Sequence, residues 1–152
     1  MKDIFLSIEG VQESDGEEPS KIVLMTGGKL ESEQGKITLS YDESETTGMD
    51  GTETRVIIEG KRVILAREGA VTTHMVFEEG QNHISLYQTP HGALTVSVFA
   101  SEVHTALEDE KGDIMVDYAL HIDNEQVSRN TFKVQYNLGK ISPASKAADS
   151  LS

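Results

Sequence analysis

Ile114-Met115-Val116-Asp117-Tyr118-Ala119-Leu120-His121-Ile122 carries large apolar or aromatic side chains at every even position. In an extended chain successive side chains point to opposite faces, so this two-residue rhythm builds a strand with one apolar face. A helix would need apolar residues three and four apart, and the segment does not offer them. Phe132, Val134, Tyr136 and Leu138 alternate in the same way with Lys133, Gln135 and Asn137. So do Leu94, Val96 and Val98, and likewise Ile37, Leu39 and Tyr41.

Working outward, strand-type runs recur at 4–11, 21–26, 54–59, 62–68, 71–78 and 83–89. Short turn signals separate them: Ser14-Asp15-Gly16, Gly27-Gly28, Glu59-Gly60-Lys61, Glu68-Gly69, Glu79-Gly80-Gln81-Asn82, Thr89-Pro90-His91-Gly92 and Glu110-Lys111-Gly112-Asp113. Glycine supplies the positive φ that tight hairpins require. Many short strands joined by brief turns predict an all-β fold. Successive hairpins without a long crossover favour an antiparallel up-and-down barrel of about eight to ten strands, because closure also removes exposed edges. The acidic, glycine-containing stretch 41–54 reads as a longer loop, and 142–152 as a flexible tail with one large apolar residue, Leu151. The expected organisation is a barrel domain over 1–140 and a tail over 141–152.

The 152 residues contain no cysteine and carry a formal net charge of −13. The first property removes disulfides, thiolate metal sites and cysteine nucleophiles. The second argues against nucleic acid and anionic membrane surfaces as partners, since phosphate binding draws on Lys and Arg. The N-terminal apolar run is too short for a signal sequence, and no 18 apolar residues occur together, so a cytoplasmic, non-membrane protein is expected.

Several short motifs carry a resemblance. They are Tyr41-Asp42-Glu43-Ser44, the run 47–54, Val63-x-Leu65-x-Arg67-x-Gly69, Met75-x-Phe77, Tyr87-x-Thr89-Pro90-x-Gly92 and Tyr118-x-Leu120. In this order and spacing, over about residues 2–138, the chain resembles the YwiB-like family of small bacterial proteins. The resemblance implies a lipocalin-like (calycin) barrel in a bacterial cytoplasm and no assigned activity. The chain has no tryptophan, so the Gly-x-Trp signature of secreted lipocalins is missing and their lipid-transport role is not implied.

Strand parity puts Tyr41, Tyr118 and Tyr136 on apolar faces, and Arg67 on the face of Val63 and Leu65. A buried phenol needs a hydrogen-bond partner and a buried guanidinium needs an anion or several acceptors. Two readings follow. Arg67, Tyr41, Tyr118 and Tyr136 line a cavity for a small amphipathic or anionic ligand, Arg67 holding its acid group. Alternatively Arg67 pairs with an acidic side chain, the barrel is filled, and partners dock on an outer face through Met49, Met75, Phe77 and Tyr87. No nucleophile elbow, phosphate-cradling loop or dinucleotide fingerprint is present, so a third reading, a hydrolase or isomerase working in the barrel mouth, rests on fold analogy alone. The five histidines show no metal-pair spacing, and the acidic loops 13–18 and 42–45 lack the alternating ligands of a calcium site. They read as solvated loops, and neither metal nor cofactor is expected.

Overall fold

The computed structural model describes residues 2–14, 16–47, 49–90, 92–123 and 125–138. The expected tail therefore lies outside the described residues, as do Gly48 and His91. Ten strands follow one another: β1 (Lys2–Glu13), β2 (Ser20–Glu33), β3 (Lys36–Asp42), β4 (Thr52–Glu59), β5 (Arg62–Gly69), β6 (Thr72–Phe77), β7 (Asn82–Thr89), β8 (Gly92–Leu107), β9 (Lys111–Ile122) and β10 (Glu125–Leu138). Each pairs antiparallel with its sequence neighbours, and β1 pairs with β10 to close the barrel.

The two-residue rhythm translates directly into an inside and an outside. On β10 the buried residues are Ser128, Asn130, Phe132, Val134 and Tyr136, with Lys133 and Gln135 exposed. Leu6, Leu39, Leu65, Phe77, Ile114 and Val134 converge at the centre with almost no exposure. A register shift between Ala100 and Glu102 interrupts the rhythm of β8. Uninterrupted alternation from Val96, Val98 and Ala100 would turn Glu102 inward, and the extra residue turns Val103 inward instead.

Two expected turns are strand interior. Gly27-Gly28 lies within β2, and the reversal falls at Gln34-Gly35, both with positive φ (44° and 80°), as a two-residue type I′ hairpin demands. Gly28 is glycine because its neighbours leave no room. A Cβ there would overlap the Ser40 carbonyl oxygen and stand 2.6 Å from Leu6 Cδ1. Gly112 likewise sits inside β9, where a Cβ would strike the Tyr136 ring.

Met75 and Phe77 are core residues, 3% and 0% exposed, rather than outer contacts. They share the inward parity of Thr73, and Phe77 packs on Tyr118 with ring centroids 4.7 Å apart. The outward apolar side chains are others, chiefly Ile84 and Leu86 on β7 and Met25 on β2. The ladder between β6 and β7 comprises only Thr72↔Gln88 and Thr73↔Tyr87. Beyond it the connecting turn leans onto β8, where Gly80 N–H donates to the Ala100 carbonyl (2.8 Å) and Glu79 Oε1 accepts from Val103 N–H (3.1 Å).

Candidate functional site in the barrel mouth

The hairpins β1–β2, β3–β4, β5–β6, β7–β8 and β9–β10 all turn at one end of the barrel, which follows from the up-and-down order. At that end the interior changes from apolar to polar. Register places Tyr41 beside Thr54, Thr54 beside Arg67, and Arg67 beside Thr73, so the inward row crosses four strands as polar side chains. Tyr118 on β9 is matched with Asn130 on β10 across the barrel wall.

A cavity of about 160 Å³ opens here. Ile8, Leu24 and Phe132 line it from β1, β2 and β10, strands that also contribute Gln12, Ser20 and Asn130, and Tyr41, Glu43, Arg67 and Tyr118 add further polar lining. Thr47 and Met49, from the segment between β3 and β4, complete the rim. That segment is tied down by its own backbone: Glu43 N–H donates to the Thr52 carbonyl (2.8 Å) and Thr52 N–H to the Met49 carbonyl (3.1 Å). A single 3₁₀ turn, Glu45–Thr47, packs on β2. Val71 N–H donates to Thr52 Oγ1 at 3.1 Å, joining the rim to the next hairpin.

Glu43 organises the polar wall. Its side chain is only 1% exposed, and its Oε2 accepts from Thr54 Oγ1 and lies 3.7 Å from Arg67 Nε. The Arg67 side chain is 12% exposed, so of the two cavity-lining partners the cation is the more exposed. Its Nε is buried and finds no hydrogen-bond acceptor. The carboxylate thus compensates the guanidinium's charge without satisfying its donor. Thr73 Oγ1 and Ser85 Oγ are also buried without partners.

Burial drives the Tyr41 phenol far above its ordinary value. The Glu43 carboxylate adds to this by repelling a phenolate and accepting a hydrogen bond from the neutral hydroxyl, while Arg67 and Thr54 act the other way. Tyr118 is raised chiefly by burial, with Arg67 opposing and Tyr87 assisting. Both groups therefore remain neutral hydroxyls at neutral pH.

Of the four residues predicted from strand parity, three, Tyr41, Arg67 and Tyr118, line this cavity. Tyr136 does not. It faces inward at the opposite end, its ring against Gly112 and its hydroxyl donating to the Glu108 carbonyl at 2.9 Å. Parity fixes which face a residue takes but not its height along the barrel, and this separates Tyr136 from the other three. Glu43 and Thr54 are the members sequence reasoning missed. Glu43 belongs to a stretch read as a solvated acidic loop, yet it continues the series Ile37, Leu39, Tyr41 by one more step of two. Met49, expected as an outer contact, lines the cavity. Among the described residues no three His, Asp or Glu side chains converge as metal ligands.

The family model described as a domain of unknown function (DUF1934) matches residues 6–134. The uncharacterized β-barrel protein YwiB of Bacillus subtilis (strain 168) is 29% identical over 136 residues, covering 90% of this chain and 94% of that protein. The crystal structure of ywiB protein from Bacillus subtilis superposes with a TM-score of 0.81 at 27% identity, over 91% of this chain and 93% of the other. Both chains are thus similar in fold along nearly their whole length.

Proposed function

Because the chain belongs to the DUF1934 family, whose function is unknown, its role rests on its own site, and we propose that it is a non-catalytic module binding a small amphipathic molecule in the barrel mouth. One observation carries this reading: Arg67, largely buried, lines a cavity that Ile8, Leu24 and Phe132 also line. A guanidinium taken out of water needs acceptors to offset its lost hydration, and a bound acceptor supplies one. The ligand's apolar body would rest on Ile8, Leu24 and Phe132, and its polar head would meet Arg67 and the Tyr118 hydroxyl.

The cavity limits the ligand's size. At about 160 Å³ it is comparable to an apolar cavity of about 150 Å³ that accommodates benzene. A single ring or a short chain therefore fits, with any extension leaving through the rim past Met49. A calycin kinship, a bacterial source and a cytoplasmic setting complete the proposal and accord with the resemblance in the motifs.

Native mass spectrometry of protein purified gently from cells tests it. The wild type is expected to retain a bound small molecule, and Arg67→Met and Tyr118→Phe to lose it while keeping the β-sheet circular dichroism spectrum. Equal retention by all three proteins, or none by any, would refute a ligand held by these side chains.

A further inference from the structure

From the internal pairing of Arg67 we infer that the ligand's head group is an uncharged hydrogen-bond acceptor, such as an amide, ester or ketone oxygen, and not a carboxylate. This rests on the binding reading above and names the ligand class for that site. It also departs from the sequence-based expectation that Arg67 holds an acid group.

Arg67 is the cation lining the cavity, and Glu43 Oε2 already lies 3.7 Å from its Nε. A ligand carboxylate at Arg67 would stand next to a second carboxylate that is 1% exposed. At such a site the attraction of one charge and the repulsion of the other largely cancel. The cost of stripping water from the anion would remain uncompensated. The chain's net charge of −13 adds a long-range disadvantage for an approaching anion.

An uncharged acceptor meets none of these obstacles. It takes a hydrogen bond from the part of the Arg67 guanidinium that lines the cavity. The neutral Tyr118 hydroxyl supplies a second donor at the same cavity. Tyr41 cannot readily serve, because its hydroxyl is engaged by Glu43. Glu43 therefore acts as a specificity-determining residue. It cancels the charge of Arg67 while Thr54 and Tyr41 hold the carboxylate away from the hydrogen bond that the ligand needs.

Matched pairs of nearly equal shape test this: benzamide against benzoate, and hexanamide against hexanoate, titrated into the full chain at neutral pH by isothermal calorimetry. The wild type is expected to favour each amide over its acid by at least about tenfold. Glu43→Gln, which keeps an acceptor for Thr54 but removes the charge, is expected to narrow or reverse that preference, improving the acids by about tenfold. Tighter binding of the acids to the wild type would overturn the inference and leave the binding site itself standing. Binding of neither class would refute the binding reading along with it. An unchanged preference in folded Glu43→Gln would assign the discrimination to something other than Glu43. If that variant does not fold, the wild-type comparison of amide with acid still decides.

Discussion

Replacing Glu43 by alanine is expected to destabilise the protein by about 3–5 kcal/mol, because it leaves the Arg67 cation buried without its counter-charge. Glu43 is 1% exposed and Arg67 12%, so the pair is largely withdrawn from water. Thr54 Oγ1 would also lose its acceptor, and the Tyr41 hydroxyl its partner. For a chain of this length such a loss corresponds to a fall in Tm of roughly 6–20 °C. The informative companion is the double variant Glu43→Leu/Arg67→Met, which replaces the pair by apolar groups of similar size. Apolar replacement of a buried pair is often neutral or stabilising by about 1–4 kcal/mol. The double variant is therefore expected to recover most of the lost Tm and yet bind no amide. Stability without binding would identify the pair as retained for recognition. A Glu43→Ala protein within about 1 kcal/mol of wild type by chemical denaturation would contradict the buried pair.

The second large effect is expected at Gly28, and its cause is steric. Alanine there would drive its Cβ into the Ser40 carbonyl oxygen and Leu6 Cδ1. One obstacle is backbone of a neighbouring strand and cannot rotate aside; the other belongs to a fully buried side chain. Overpacking typically costs about 1–3 kcal/mol, and the backbone overlap places Gly28→Ala at the upper end. A fall in Tm of roughly 6–12 °C by circular dichroism is expected. Gly10 provides the control, since nothing lies within 4 Å of a Cβ built there. Gly10→Ala is expected to shift Tm by no more than about 2 °C. Equal effects at the two glycines would contradict the close approach of β2 to β3 and β1.

The contrast between these glycines marks where sequence reasoning was sufficient. Alternation in 114–122, 132–138 and 37–41 established the strands, their inward faces and the antiparallel barrel, because burial on one side of a strand leaves a period of two that needs no tertiary information. The same reasoning read Gly27-Gly28 and Gly112 as turns. A glycine required by a close neighbour looks identical in sequence to one required by positive φ, and only the neighbour distinguishes them. Gln34-Gly35, the true reversal, lacks the Asn-Gly or Asp-Gly signature of such turns.

The site was legible to a similar depth. Three of its polar members were found because phenols and a guanidinium on apolar faces demand partners. Tyr136 was grouped with them because parity carries no information about height along the barrel. Glu43 was passed over because 26 acidic residues make each one unremarkable, although a guanidinium placed in a lumen itself calls for an inward carboxylate. Met75 and Phe77 were assigned outward roles that their own parity with Thr73 argues against. The positions of the β8 bulge and of the loose β6–β7 seam depend on how ten strands close into one ring, which no local window encodes.

The Arg67 Nε–H resonance in ¹⁵N-edited NMR of the wild type gives the most direct measurement of all. In the free protein a resonance protected from solvent but not hydrogen-bonded to a carboxylate is expected, moving on titration with benzamide while signals from the far end, around Tyr136, stay in place. A resonance already hydrogen-bonded to Glu43 in the free protein, and unmoved by either the amides or the acids, would contradict a ligand seated against the Arg67 guanidinium.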